Sequence, residues 1–534
     1  MKKFISWTKD NSWLIFAICT PLLFAISPSL YSYSKNFMYY SLSELFVSMG
    51  IFCGAAIVVF SVVYLVNQIL IKKEILKDRI IRTSVITSFF IIFFYILYGP
   101  AKQLFVNKFG DGFLYLGILW GNDKVLLPVA LILFVFTVHF IKSISKCIKL
   151  LKFQNIMIFL IIIFSIIELV NFKGQHVLNN NVDKRGVNHV ACNDSLPNIY
   201  YIVMDSYASF DVLSKFYSYN NDEFKEFLKS HGFYVAEKSK CNYPITVLSL
   251  SSSLNMEYLN IKGQKYNSPV IVSNCISNIR NSLLGRELIN NGYNAYFIGH
   301  YFFSNITPKF NKKMIHYFQY YSINCLSIDE IKKTPVEFVA NKWTAYSKKR
   351  FRMNVLLELN QLSNVKDLKQ KKFVFAHLYS THPDYTFNSD GSEVKEFVTI
   401  GKKPKTLTNK EYLEQLQTRY INQLRYMTNR ITGILDTIVR TDSNAIIVLQ
   451  SDHGCWFHEG DTLKNKYVNN NINFINQRMP ILNAYKVPKS VEKMLYDSIS
   501  PVNSFRLVLN NVLGRSFPLL PYECNHLNYN NDNE

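Results

Sequence analysis

Ile446-Ile447-Val448-Leu449-Gln450-Ser451-Asp452-His453-Gly454 is the stretch that decides how the rest of the chain is read. Four apolar residues in a row, three of them β-branched, predict a strand buried on both faces. The run breaks into polar residues, so an aspartate and a histidine, both able to bind a metal, stand side by side at the strand's C-terminal end. Open α/β sheets collect their ligands along that edge.

Working outward, Asn198–Met204 is a second apolar β-type run, and it ends at Asp205-Ser206. A lone aspartate after a strand serves as a turn or cap residue as readily as a ligand; Asp452 at another strand end gives it a partner. Phe373–Ala376 is a third buried strand, followed by His377 and then Ser380-Thr381-His382-Pro383. Two histidines just past one strand point to chemistry rather than core packing. A fourth strand, Tyr293–Gly299, delivers His300 to the same edge. Asn221–Gly232, Ile328–Val365 and Tyr412–Val439 read as helices, and the alternation predicts a mostly parallel α/β sandwich. Between the first two of these helices, Cys241-Asn242-Tyr243-Pro244-Ile245-Thr246 leads into a helical run over 247–256. The Thr246 hydroxyl therefore falls at a helix N-terminus. It is either a plain N-cap or a nucleophile whose alkoxide is stabilised by a metal and the helix dipole. His458 is a further candidate ligand, with a surface-loop histidine as the plainer reading.

The 534 residues suffice for two or more domains. Mean hydropathy is +0.04 with 49% hydrophobic residues, an average over two unlike halves. Residues 1–172 hold five stretches long enough to cross a bilayer, roughly Trp13–Leu30, Phe46–Ile71, Thr83–Ala101, Val125–Ile141 and Asn155–Asn171. Lysines and arginines crowd the segment before the first stretch and alternate loops after it (Lys72, Lys73, Lys77, Arg79, Arg82; then Lys142, Lys146, Lys149, Lys152). The positive-inside bias puts the N-terminus in the cytoplasm and, after five crossings, everything beyond Asn171 outside. Glu168 near the end of the last stretch reads as an interfacial carboxylate or as a polar contact to a lipid headgroup.

The domain organisation expected is thus a transmembrane domain over 1–172, a polar linker over 173–196 and an extracytoplasmic catalytic domain over 197–534. The net charge of +21 divides into +9 for residues 1–172 and +12 for the remainder. No arginine-rich arm or nucleic-acid module accompanies it. Anionic lipid surfaces or glycolipids account for the excess, and nucleic acid is not an expected partner. Cys192, Cys241, Cys275, Cys325, Cys455 and Cys524 fall in the exported half, so up to three disulfides are expected there.

The ordered set, strand-Asp205, Thr246, His377/His382 and Ser451-Asp452-His453-Gly454, resembles the alkaline phosphatase/sulfatase superfamily. With membrane spans in front, the architecture is similar to membrane-bound phosphoethanolamine transferases and lipoteichoic acid synthases. Arg478-Met479-Pro480-Ile481-Leu482-Asn483-Ala484 and Pro501-Val502-Asn503-Ser504-Phe505-Arg506 resemble the C-terminal elements of the same group. The resemblance implies a multi-span membrane domain plus an α/β sulfatase-like (alkaline phosphatase-like) sandwich. It implies one divalent metal ion, zinc or manganese, on Asp205, Asp452, His453 and Thr246, with Thr246 as nucleophile. His382 and His377 would contact the substrate or protonate the leaving group. Two departures stand out: Asp205 occupies a place where the phosphotransferases often carry Glu, and the Cys-X-Pro-Ser-Arg signature of formylglycine sulfatases is absent.

The function expected is transfer of a phosphoethanolamine- or phosphoglycerol-type group from a membrane phospholipid to an envelope glycolipid or polysaccharide. The enzyme would be a monomer in the bacterial inner membrane. Sulfuric or phosphoric ester hydrolysis on surface glycans is the alternative, and an inactive envelope-assembly scaffold on the same fold is the third reading.

Overall fold

The computed structural model describes residues 12–36, 42–109, 112–115, 118–141, 143–179, 196–261, 269–299, 315–316, 325–365, 371–383, 385–395, 407–455, 457 and 472–525. The chain divides into two compact units, Met1–Leu178 with Tyr321–Ser347, and Asn179–Tyr320 with Lys348–Glu534.

The first unit is built on α1 (Ser12–Asn36), α2 (Leu42–Leu70), α3 (Leu76–Ile91, continued by a π turn over Ile92–Ile96), α4 (Asn122–Phe140) and α5 (Ile144–Asn179). Among the described residues four stretches are long and apolar enough to cross a membrane: Trp13–Ser34, Glu44–Leu70, Leu76–Phe105 and Ile144–Glu168. Val125–His139, inside α4, is apolar but shorter. Large apolar side chains point outward here, Phe46, Ile69 and Phe136 among them, as side chains do when the surrounding solvent is hydrocarbon. Some polar ones turn back onto their own helices. Thr20 Oγ1 donates to Phe16 O at 2.6 Å and Ser165 Oγ to Ile161 O at 2.9 Å, because lipid offers no partner of its own.

Tyr321–Ser347 belongs to this unit although it follows the first sheet strands in sequence. Ile328 and Ile331 of the short helix Cys325–Ile331 pack with Phe24, Phe52, Tyr95 and Ile158. Between them Glu330 accepts from Ser32 Oγ at 2.5 Å and Tyr95 Oη at 3.3 Å, and pairs with Lys333 Nζ at 2.6 Å. The helical stretch expected over Ile328–Val365, with polar breaks, is two helices, the second Glu337–Asn364, and its first part is allied to the apolar bundle.

The second unit is an α/β sandwich around a seven-stranded sheet. Its strands are β1 (Ile199–Met204), β2 (Tyr234–Val235), β3 (Asn294–Gly299), β4 (Ile315–His316), β5 (Lys372–Leu378), β6 (Ile446–Gln450) and β7 (Asn483–Lys486). They lie in the order β2-β7-β6-β1-β5-β3-β4, with β7 antiparallel to its neighbours and the other pairings parallel. Alternate residues feed opposite faces. Tyr200, Ile202, Met204, Val374, Ala376, Ile447 and Leu449 share one core with Leu416, Leu424, Met427, Ile431 and Leu435. Those five lie on α7 (Asn409–Thr441), which opens with a capping box between Thr408 and Glu411. On the other face Tyr201 stacks on Phe375 at 5.3 Å and meets Phe505 edge-on at 4.9 Å. Its hydroxyl reaches Ser253 at 3.2 Å, on α6 (Thr246–Asn255). Both faces are covered, which is why these strands read as continuous apolar runs. Among the described residues Cys241, Cys275, Cys455 and Cys524 are thiols; Cys192 lies outside them, so the three disulfides expected in this half are not formed.

Candidate active site

Register brings the site together. Val203 of β1 stands opposite His377 of β5 on one side and Gln450 of β6 on the other, so the three central strands end level. Asp205 leaves β1, and Asp452 and His453 leave β6, into the same space. One ligand atom from each lies within 4.8 Å of the others, and all three residues are buried. Asp205 Oδ2 and Asp452 Oδ2 accept no hydrogen bond. Two unpartnered carboxylate oxygens and an imidazole, buried together, are the donor set a divalent cation requires.

The helix α6 supplies the next group. Ile245, extended, is its N-cap, and it gives no side-chain cap bond. Thr246 is thus the first helical residue rather than the cap, and its hydroxyl is directed elsewhere: Oγ1 lies 3.1 Å from His453 Nε2. His453 Nδ1 faces Gly454 O at 3.1 Å, which assigns the proton to Nδ1 and leaves the Nε2 lone pair toward Thr246. Ser249, one turn on, donates to Asp452 O at 2.8 Å and so serves the backbone of the ligand loop.

His377 lies inside β5 rather than beyond it, fully buried, with Nε2 3.4 Å from Asp205 Oδ2 but without the alignment of a hydrogen bond. His382 follows a short 3-10 turn, Tyr379–Thr381. Its Nδ1 bonds Pro383 O, and its Nε2 is 3.4 Å from Tyr379 Oη. Thr381 ties this turn to Asp205 through the backbone oxygen. His300 and His458 lie outside the described residues.

Three further contributors were given no role from the sequence pattern, although Arg478 opened a C-terminal element read there. Ser206 has φ 62°, a left-handed conformation that a non-glycine residue adopts at some cost. In it, the Ser206 amide donates to Asp452 Oδ1 at 3.1 Å and its hydroxyl to Asp205 Oδ1 at 2.9 Å. Arg478, at the end of α8 (Ile472–Arg478), reaches His453 Nε2 with Nη2 at 3.0 Å. Glu358, from the helix Glu337–Asn364, is buried beside the 3-10 turn and accepts from Tyr379 N at 3.4 Å.

Charge is unevenly shared in this space. Burial alone would raise Asp205, but attraction to the neighbouring imidazoles, His382 first, when these carry a proton in acid outweighs it and holds the carboxyl below the usual range. Burial and then the Asp205 charge push Asp452 up to about 7. The two carboxyls therefore hold about one negative charge between them near neutral pH in the absence of a cation. Burial, and next the Arg478 guanidinium, push His453 well down, so it is neutral. Burial likewise lowers His382 and raises Glu358 to about 8.

A sequence match to the family described as Sulfatase covers residues 197–478, more than half of the chain. The chain belongs to the sulfatase family, and its α/β unit is that of a sulfatase-superfamily enzyme. No curated protein matches it. Among solved structures, the C-terminal periplasmic domain of EcEptC from Escherichia coli, in complex with Zn, aligns at 13% identity over 61% of this chain and 85% of its own, with a TM-score of 0.38. The corresponding domain of phosphoethanolamine transferase EptC from Campylobacter jejuni aligns at 14% identity over 60% and 91%, TM-score 0.32. The integral membrane lipooligosaccharide phosphoethanolamine transferase A (EptA) from Neisseria meningitidis aligns at 11% identity over 93% and 94%, TM-score 0.34. The family assignment rests on the Sulfatase match.

Proposed function

We propose that this enzyme is a metal-dependent transferase that moves a phosphoethanolamine- or phosphoglycerol-type group from a membrane phospholipid to an envelope glycan or lipid, through Thr246. The observation that carries this reading is the 3.1 Å approach of Thr246 Oγ1 to His453 Nε2 at the N-terminus of a ten-residue helix. A hydroxyl so placed shares a metal ligand's lone pair and has the helix dipole behind it.

Asp205, Asp452, His453 and Thr246 would hold one divalent cation, zinc or manganese. When bound, that cation lowers the pKa of the Thr246 hydroxyl and offsets negative charge on the ester. Thr246 then loses its proton, and its oxygen bonds to phosphorus as the bond to the lipid alkoxide breaks. His382 is kept neutral by burial, with Nδ1 committed to Pro383 O. Its Nε2 can therefore take a proton and return it to the leaving oxygen. His377 stands beside Asp205, with Nε2 3.4 Å from Oδ2. In the second half an acceptor hydroxyl gives its proton to His382 Nε2 as its oxygen bonds to the phosphorus of the phosphothreonine, and Thr246 leaves and takes that proton back.

A membrane donor suits the four apolar helices that precede the catalytic unit. The 19 residues of α4 rise about 28 Å, close to the roughly 30 Å of hydrocarbon in a bilayer. Counted as a fifth crossing, α4 gives residues 1–172 an odd number of spans and, by the positive-inside bias, puts residues 197–534 outside the plasma membrane of a bacterium. The family match also favours a second reading, hydrolysis of sulfuric or phosphoric esters on surface glycans.

Mass spectrometry of envelope lipids and glycans from cells with and without the gene decides between them. A phosphoethanolamine or phosphoglycerol substituent that disappears with the gene, together with a phosphorylated Thr246 peptide, is the expected result. Accumulation of a sulfated or phosphorylated glycan in its absence would move the assignment to the hydrolase.

A further inference from the structure

Arg478 closes α8 half-buried, with all three guanidinium nitrogens engaged. Nε donates to Pro244 O at 3.1 Å, Nη1 to Gly454 O at 2.9 Å, and Nη2 to His453 Nε2 at 3.0 Å. The backbone answers, since Gly454 N donates to Arg478 O at 2.7 Å. There is no room for a side chain at this crossing: a Cβ on Gly454 would meet Gln477 O at 2.5 Å and Pro480 O at 2.9 Å. One planar fork thus joins the loop that carries Thr246, two residues past Pro244, to the loop that carries His453. A lysine, with a single point charge, could not hold both carbonyls in that geometry.

The third bond is the informative one. With the His453 proton on Nδ1, Nε2 offers one lone pair, and Thr246 Oγ1 at 3.1 Å and Arg478 Nη2 at 3.0 Å both turn to it. A cation that takes this lone pair must displace the guanidinium and then sit beside its positive charge, an unfavourable neighbour at such range. An arginine here weakens metal binding, so a clamp alone does not explain the choice of residue. Once displaced, Nη2 remains next to Thr246, where a negatively charged ester oxygen has to arrive, and arginine binds such oxygens well.

We propose that Arg478 is a placeholder for the metal and then the anion-binding group of the loaded site: it occupies the His453 Nε2 lone pair until a cation claims it, and the released Nη2–H then receives an oxygen of the substrate's phosphate or sulfate ester. This rests on the metal assignment to Asp205, Asp452 and His453. It gives two successive roles to a residue that the sequence pattern placed only within a C-terminal element.

The test is a pair of titrations on the full-length protein in nanodiscs, stripped of metal. Zinc alone is titrated into the wild type and Arg478→Gln, and inorganic phosphate is then titrated into each zinc-loaded form. Arg478→Gln is expected to bind zinc about tenfold more tightly, equivalent to roughly 1.4 kcal/mol, and to bind phosphate at least tenfold more weakly. Zinc affinity equal to or below that of the wild type overturns the placeholder role, and unchanged phosphate affinity overturns the anion-binding role. Should Arg478→Gln lose its fold, Arg478→Lys decides by the same two readouts: both shifts are then smaller but in the same directions, and their absence overturns the proposal. Failure of the wild type and both variants to bind zinc would instead remove the metal assignment itself, and this inference with it.

Discussion

Both units of the chain bury polar atoms that have no hydrogen-bond partner, but the two sets differ in kind. In the helical unit most are neutral: the hydroxyls of Ser84, Thr87 and Ser88 on α3 and both amide atoms of Gln154 on α5. Its two charged ones, Glu74 Oε2 and Arg79 Nε, are of opposite sign and belong to groups already bonded through other atoms, Glu74 Oε1 to Arg82 at 2.8 Å and Arg79 Nη2 to Glu74 O at 3.0 Å. In the sheet unit the set includes Asp205 Oδ2, Asp452 Oδ2 and both ring nitrogens of His377, gathered at one strand edge. A neutral orphan costs about 1–3 kcal/mol, and a charged one more. The lesson is that the absence of a partner does not by itself mark a site. Ionisable orphans that converge, two of them on a space that a neutral imidazole also faces, do mark one, because a cation can relieve them all at once.

The largest effect that could break this comparison lies at Thr246, whose hydroxyl already has a partner. If its role were only the bond to His453, Thr246→Ala would cost on the order of 1 kcal/mol and leave turnover nearly intact. As the nucleophile, its loss lowers turnover by on the order of a thousandfold or more, while zinc content measured by mass spectrometry stays near one per chain. Full turnover in the alanine variant would return the residue to a structural role.

Next comes the cation itself. Asp452→Asn keeps the size of the side chain and, with an amide in place of the carboxyl, can still meet the Ser206 amide, but it removes an ionisable donor. Zinc affinity should drop by more than the roughly 10–100-fold typical of outer-shell partners; unchanged metal content in purified protein would sink the site.

A smaller effect, set by pH, sharpens the contrast. With Asp452 raised to about 7 and His453 already neutral, metal binding must expel a proton from Asp452 below that pH. Zinc affinity is then expected to rise about tenfold per pH unit up to about 7 and to level off above it. Stability of the metal-free protein has the opposite sign in this group. A raised carboxyl contributes fully below the unfolded value of 3.8, and the contribution is lost as pH climbs through about 7. Flat zinc affinity between pH 5.5 and 7 would show that Asp452 is ionised without a metal.

How much of this was legible in the sequence depended on how local the cause was. β1, β5 and β6 are apolar runs broken by polar residues, so Asp205, Asp452 and His453 could be placed at strand ends from pattern alone, and Thr246 at a helix start from Pro244 and the run after it. His377 was set one step too late, since β5 continues through a buried histidine that strand periodicity gives no reason to include. Ser206 was given no role; its left-handed backbone goes with a bond to Asp452, 246 residues away. Arg478 was visible only as part of a C-terminal pattern, because what it touches comes from two other loops. The allegiance of Tyr321–Ser347 to the apolar unit was equally hidden. Ile328 and Ile331 make a hydrophobic pair too short to distinguish from the face of an ordinary amphipathic helix. Single elements can be read from periodicity, whereas the contacts that complete a site join elements far apart in the chain.

The smallest effect tests the other half of the comparison. Gln154 is 3% exposed, and its amide oxygen and nitrogen both lack partners. If neutral orphans in the helical unit are only a stability cost, Gln154→Leu replaces a desolvated amide by an apolar group of similar size and removes that cost. The thermal midpoint of the protein in detergent should hold or rise, with zinc affinity and turnover unchanged. A drop in turnover at constant stability would mean that the polar stripe of α3 and α5 takes part in function. The distinction between ionisable and neutral orphans would then fail on its weaker side, while the strand-edge site would stand on its own measurements.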